Sequence, residues 1–240
     1  MKLFNWSNIR LVLMFALVIF LFSFTSNRNA NRKLIKSTVI FVGDVSPFVR
    51  HETVNKLLIE NKKDASSIQK VNLDLNKLEK MLDAQEMIEK SDVFVSIDGD
   101  LKAVVKQKTP IARVFDQGGS FYIDYKGNRM PLSANFTARV PLVLGGINKK
   151  NNEDLADLFR IIYDDAFLKK NIIGIQIMPN GSLIMLNRNF DYQIDFGRMI
   201  NVERKFKNYK AFFQKVVMDS TLYKYKKIDL RFTEQVVCTK

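Results

Sequence analysis

DVFVSIDGDLKAVVKQKTPIA, residues 92–112, decides how the chain is divided. Val93, Val95 and Ile97 alternate with Phe94 and Ser96, Asp98-Gly99-Asp100 turns the chain, and Leu101, Ala103 and Val105 alternate with Lys102, Val104 and Lys106 on the return. Alternation of period two on both sides of an Asp-Gly pair predicts a β-hairpin, because such turns need a residue free to take positive φ. The residues before the hairpin have helical periodicity, and those after Pro110 make a longer run of strands. The segment therefore closes one domain and opens a second.

Upstream, residues 38–42 (TVIFV) read as a short strand stopped by Gly43 and Pro47. Residues 50–60 place Val54, Leu57 and Leu58 on one helical face, and 61–67 (NKKDASS) read as a loop. A second helix from about Asp74 buries Leu75, Leu78 and Leu82, with Asp74 suited to cap its first turn. With the hairpin, the order is strand, helix, helix, strand, strand.

Downstream, segments 112–115, 120–124 and 127–131 are punctuated by Gln117-Gly118-Gly119 and Tyr125-Lys126-Gly127-Asn128, the spacing of a meander. Residues 140–144 (VPLVL) end at Gly145-Gly146. An amphipathic helix over 152–163 carries Leu155, Leu158, Phe159 and Ile162 in register, with Asn152 as its cap candidate. Strands 172–178 and 182–187 flank Pro179-Asn180-Gly181, and 190–196 continues the sheet. A basic helix over 202–218 buries Phe206, Tyr209, Phe213 and Val217, and one last strand runs over 227–238. The fold class is α+β: an N-terminal transmembrane helix, a β-α-α-β-β domain, then a mainly antiparallel β domain with two helices.

LVLMFALVIFLFSF, from Leu11 to Phe24, is apolar apart from Ser23. Fourteen residues span only about 21 Å as a helix, against a hydrocarbon core of about 30 Å. That length also suits a cleavable signal peptide, but Phe20, Phe22 and Phe24 stand where small residues would mark cleavage. Counting residues 9–26, with Arg10 snorkelling and Trp6 at the interface, the span suffices for a retained anchor in the lipid bilayer. Lys2 and Arg10 lie before it, and Arg28, Arg32, Lys33 and Lys36 after it, so the positive-inside count opposes an exported body. The short head favours export, and charge alone leaves the orientation open.

The net charge of +13 is local. Residues 1–43 hold six basic residues and no acid, and residues 201–227 hold eight basic residues and two acids, so the rest of the chain carries only +1. The first group flanks the apolar run, where cations meet lipid headgroups; the second lies on a helix and its exit, where a solvated face is expected. Neither feature points to nucleic acid. Cys238 is the only cysteine, which excludes an internal disulfide and a cysteine-based metal site.

No catalytic constellation emerges. His51 is the only histidine and opens a helix far in sequence from Cys238. Asp164-Asp165 and Asp191 with Asp195 are the carboxylates that an acid pair or metal site would use, but helix-end and strand-edge roles are far commoner for such residues. Gly118-Gly119 and Gly145-Gly146 lack the strand-to-helix setting of a phosphate loop. No cofactor is expected, and the chain reads as a scaffold or binding module rather than an enzyme.

The strand-helix-helix-strand-strand unit behind a membrane anchor resembles a POTRA domain. Gly99-Asp100-Leu101-Lys102-Ala103-Val104-Val105, leading to Lys108-Thr109-Pro110-Ile111-Ala112, is similar to the G-x-L-x-V-x-V and x-x-P-x-A pattern of the bacterial FtsQ/DivIB cell-division family. Three further motifs come in that family's order: Asp124-Tyr125-Lys126-Gly127, Pro141-Leu142-Val143-Leu144-Gly145 and Ile228-Asp229-Leu230-Arg231-Phe232, resembling D-x-x-G, P-x-x-x-G and V-D-L-R-Y. Two departures are visible: residues 84–89 (AQEMIE) lack the family's proline before the hairpin, and Phe115 stands two positions from its usual aromatic.

The resemblance implies a cytoplasmic head and anchor over 1–26, a juxtamembrane linker over 27–36, a POTRA-like domain over 37–109 and an FtsQ-type β domain over 110–240. It implies a non-enzymatic scaffold in the bacterial inner membrane, its body in the periplasm at the division septum. Such a scaffold holds small coiled-coil partners of the FtsB/DivIC and FtsL type, meets other division proteins through its POTRA domain, and so regulates septal peptidoglycan synthesis. The partner surface carries over by position to Phe232, Thr233, Glu234, Gln235, Val236 and Val237. A last strand with one free edge would accept a partner strand, and an interior strand would be merely structural; the sequence leaves both open. The competing readings are a POTRA-containing envelope transport or assembly component, and an anchored periplasmic enzyme with a carboxylate site.

Overall fold

The computed structural model describes residues 6–30, 32–43, 46–59, 65–70, 73–116, 118–147, 152–219 and 221–240. The expected head residues 1–5, the helix end at Glu60 and the loop residues 61–64 lie outside these. The chain divides into two compact units, one of Met1–Val45 with Val49–Gln107 and one of Ser46–Phe48 with Lys108–Lys240.

The first unit begins with α1 (Trp6–Ala30), within which Asn8–Asn29 is long and apolar enough to cross a membrane. At 1.5 Å per residue its 22 residues cover about 33 Å, a full hydrocarbon core. The helix thus runs into the segment expected to be a linker, and the residues after it are pinned by backbone bonds. Leu34 N donates to Ile68 O at 3.0 Å, Lys70 N to Arg32 O at 2.9 Å and Ile35 N to Gly99 O at 3.0 Å. Leu34 is a buried core residue, so burying it draws the backbone on either side into place.

β1 (Ser37–Val42), α2 (His51–Leu58), α3 (Leu75–Asp83), β2 (Ile88–Val95) and β3 (Leu101–Gln107) make the POTRA-like unit, with a 3-10 turn at Ala65–Ser67. The sheet order is β1-β3-β2, β1 running parallel and β2 antiparallel to β3. Val93, Ala103 and Val105 face Val54, Leu58, Leu78 and Leu82 of the two helices, and the Asp74 carboxylate caps α3 by accepting from Lys77 N at 3.0 Å. The expected strand position of Ile97 is corrected: β2 ends at Val95, and Ile97 stands in the turn, 93 % exposed. Gly99, at φ +94, makes that turn tight enough for Gly99 N to bond Ser96 O at 3.0 Å.

The second unit is built on one sheet. Its strands are β4 (Pro110–Asp116), β5 (Gly119–Asp124), β6 (Arg129–Met130), β7 (Leu142–Leu144), β8 (Ile172–Ile177), β9 (Leu183–Asn187), β10 (Gln193–Gly197), β11 (Lys227–Asp229) and β12 (Val237–Thr239). They lie in the order β12-β11-β10-β9-β8-β7-β4-β5-β6. The pairings are mainly antiparallel, with parallel joints at β4–β7, β7–β8 and β10–β11. The last two joints are bridged by helices, as parallel neighbours require: α4 (Asn152–Asp164) and α5 (Ala166–Asn171) precede β8, and α6 (Val202–Met218) precedes β11.

Register explains the core. Val114, Val143, Ile175, Met185, Ile194 and Ile228 occupy matched positions across six strands and are all buried. Onto this row pack Leu155, Leu158, Phe159 and Ile162 of α4, and Phe206, Tyr209 and Val216 of α6. Val216 takes the core position expected for Val217, which is exposed, because the buried face of α6 runs through 205, 209, 212 and 216, rotated from the one expected. Among the described residues this unit shows three α-helices where two were expected. The third, α5, escapes periodicity because six residues are too few to display a face; its mark is Asp165, whose carboxylate caps it by accepting from Phe167 N and Leu168 N at 3.0 and 2.9 Å.

Candidate functional site

The single strand expected over 227–238 is two. β11 stops at Asp229, the chain reverses, and β12 returns antiparallel beside it with Val237 opposite Asp229. The reversal is built by Asp229, which is itself buried. Its carboxylate accepts from Arg231 N at 3.0 Å, and from Arg231 Nε at 3.0 Å and Arg231 Nη2 at 2.5 Å. Arg231 lies across Gly197, where a Cβ would come within 2.7 Å of its side chain, and its Nε is 3.5 Å from Asp195. Lys227 Nζ meets the same Asp195 carboxylate at 2.9 Å.

These cations set the titration of Asp229. The Arg231 hydrogen bond holds its carboxyl below the ordinary value, burial opposes, and the Arg231 amide and the nearby charges of Arg231 and Lys227 reinforce the depression. A carboxyl depressed in the folded state contributes stability above its unfolded value of about 3.9, and that contribution is lost as pH falls through the lower folded value. Asp229→Asn is therefore expected to lower the unfolding midpoint by about 3 °C at neutral pH. In acid the gap to the parent closes; thermal unfolding of both proteins from pH 7 downward measures it.

The turn is also fastened to α6. Asn208 Nδ2 donates to Thr233 O at 2.7 Å, and Arg204 Nη2 reaches Glu234 Oε2 at 2.6 Å. Beneath it, Lys205 is 3 % exposed and donates to Phe196 O at 2.9 Å and Arg198 O at 2.8 Å, tying α6 to the end of β10. Burial pulls the Lys205 ammonium below its ordinary range, while Asp195 and Asp229 push the other way. Lys205→Met would leave both carbonyls without that donor, and a loss of about 2 kcal/mol is expected in urea titrations.

The six residues singled out from sequence fall differently along this edge. Phe232 is exposed beside the Arg231 guanidinium, Thr233 and Glu234 are fastened to α6, and Gln235 is exposed. Val236 packs partly against the core, and only Val237 enters β12. β12 is the terminal strand of the sheet. Gln193 N bonds Lys226 O and Leu230 N bonds Asp195 O, so the even-numbered residues of β11 bond toward β10. Lys227 and Asp229 then bond toward Thr239 and Val237, which leaves the N–H and C=O of Cys238 facing the open edge. Arg204, Asn208 and Arg231, which brace this edge, were not among the six. Arg231 lies in the Asp-Leu-Arg motif, whereas no local signal links Arg204 and Asn208 to their turn partners, 30 and 25 residues away.

The carboxylates raised as chemistry candidates have other occupations. Asp165 caps α5 and pairs with Lys210; burial raises its carboxyl, but Lys210 and the Leu168 and Phe167 amides outweigh it and the net shift is downward. Asp164 accepts from Tyr125 OH at 2.9 Å, Asp195 meets Lys227 and Arg231, and Asp191 is exposed. Among the described residues no three His, Cys, Asp or Glu side chains gather as a metal site. His51 is exposed and lies edge-on to Phe41, and burial pushes the Cys238 thiol up.

A family model described as FtsQ/DivIB, C-terminal related, matches residues 109–239, more than half of the chain and nearly all of the second unit. The chain belongs to the FtsQ/DivIB C-terminal-related family. It is a cell-division protein of the FtsQ/DivIB type, a family of non-enzymatic division scaffolds that act through other division proteins. The anchoring helix α1 agrees with that type. Among solved structures it is similar to the major extracytoplasmic domain of the trans isomer of the bacterial cell-division protein DivIB from Geobacillus stearothermophilus. The identity is 15 %, over 32 % of this chain and 69 % of that one, with a TM-score of 0.27, too slight a likeness to argue from. No curated protein matches the chain.

Proposed function

We propose that this FtsQ/DivIB-type protein is a membrane-anchored, non-enzymatic scaffold of the division machinery that captures a small bitopic coiled-coil protein of the FtsB/DivIC and FtsL type by strand addition to β12. The observation that carries this reading is the open edge at Cys238, held next to a turn that Asp229, Arg231, Asn208 and Arg204 brace. A braced edge loses little conformational entropy on binding, and a terminal strand of the same sheet supplies backbone donors and acceptors that a partner strand can complete. Phe232, Gln235 and Val237 are exposed around it and offer the side chains that would choose among partners.

In this reading the body lies in the periplasm, the protein gathers at the septum, and it regulates septal peptidoglycan synthesis through the partners it holds. The POTRA-like unit meets further division proteins, and no cofactor takes part. A photocrosslinking residue at Val237, with a reporter active only outside the cytoplasm fused after Lys240, tests this in dividing cells. Septal signal with a small single-span protein crosslinked is the expected result. Diffuse signal without a crosslinked species would overturn it.

A further inference from the structure

The end of the first unit next to the anchor carries features that partner capture does not use. α1 leads into residues 32–36, and these are bonded on two sides, Arg32 and Leu34 to Ile68 and Lys70, and Ile35 and Lys36 to Gly99 and Leu101. Lys70 Nζ also donates to Asn29 Oδ1, on the last turn of the helix, at 3.3 Å. The hairpin tip around Gly99 and the segment around Ile68 are therefore held close to where α1 ends.

That end exposes two large aliphatic side chains. Ile97 is 93 % exposed at the tip and Ile35 is 62 % exposed, its side chain lying against Gly99. The stretch that joins α1 to β1 carries Arg28, Arg32, Lys33 and Lys36, and Lys70 is bonded to it through Arg32 O and Asn29; the tip brings the carboxylates Asp98 and Asp100, of which Asp100 already pairs with Lys36 at 3.3 Å. Two exposed isoleucines on segments with an excess of basic residues, continuous with a membrane-anchoring helix, match the layered chemistry of a bilayer surface, apolar beneath and anionic above.

We infer that this end of the first unit rests on the bilayer that α1 anchors it to, inserting Ile35 and Ile97 among anionic phospholipid headgroups while Arg28, Arg32, Lys33 and Lys70 neutralise the phosphates. The contact holds the POTRA-like unit in a fixed pose on the membrane rather than on a swinging arm. It also gives the basic residues on the body side of the anchor a role besides setting topology.

The test uses the full chain with Cys238→Ser, labelled through Ile97→Cys or, separately, Ile35→Cys with an environment-sensitive fluorophore. Each is reconstituted into vesicles of phosphatidylglycerol and phosphatidylethanolamine, or of phosphatidylcholine alone, doped with headgroup-nitroxide lipid. Glu86→Cys, at the far end of β2 from the tip, is the control in the same unit. Quenching at 97 and 35 is expected to exceed that at 86 at least about threefold in anionic vesicles, and to fall toward it in phosphatidylcholine, in high salt, or with Arg32→Gln and Lys33→Gln. Quenching at 97 no greater than at 86, or indifferent to lipid charge, would overturn the inference. Both labelled positions are exposed, so the fold tolerates the substitutions, and circular dichroism checks it.

Discussion

Cys238→Pro is expected to weaken partner binding at least about tenfold and to leave the unfolding midpoint nearly unchanged. Proline removes the amide that faces the open edge, and its ring occupies the space an incoming carbonyl would need. One ordinary hydrogen bond is worth about 1 kcal/mol net, and the steric block removes its neighbours as well, so about 1.4 kcal/mol or more, a factor of ten, is lost. The bonds to β11 come from Val237 and Thr239, which keep their amides, and proline is tolerated on an edge strand for this reason. Cys238→Ser retains the amide and should bind as the parent does. Calorimetric titration with the partner's extracytoplasmic segment separates the two. Parent-like affinity of the proline variant would sink strand addition at β12, whatever other surface then held the partner.

Gly145→Ala is expected to cost the second unit about 3 kcal/mol, and Gly146→Ala less than about 0.5 kcal/mol. Gly145 has φ +109, where an L-residue is strained, and a Cβ there would stand 2.6 Å from Ile177 O, a backbone atom that cannot step aside without disturbing β8. Gly146 has open space around its would-be Cβ. The two glycines are neighbours in sequence and share no constraint. Urea unfolding of both variants measures the difference, and equal stabilities would mean that β7 leaves the sheet by another path.

The helices and strands with strong periodicity were legible because burial imposes the period directly. Leu155, Leu158, Phe159 and Ile162 lie on one face of α4 and all reach the core, and Asp74 caps α3 as its position implied. The fold class came from such local signals. The family was legible from short motifs, and Gly145 and Arg231, which belong to two of them, each take part in a particular backbone arrangement: a close approach to β8 and a braced reversal.

The features that stayed hidden depend on contacts between residues distant in the chain. α5 is too short for a period, and Val216 displaced Val217 by a small rotation of one helix face that hydropathy cannot register. The candidate site was legible as a region and not as a geometry. Asp-Leu-Arg reads the same in a straight strand as in a reversal, and only the placement of Asp229 under Arg231, with Asn208 holding Thr233, bends the chain. The sequence by itself determined the strongly periodic helices and strands and the anchor, since those rest on local periodicity and on the length of one apolar run. Tertiary structure alone decided that β12 is an end strand of the sheet and that the hairpin tip stands beside the end of α1, because strand order and long-range hydrogen bonds come from packing that no local pattern encodes.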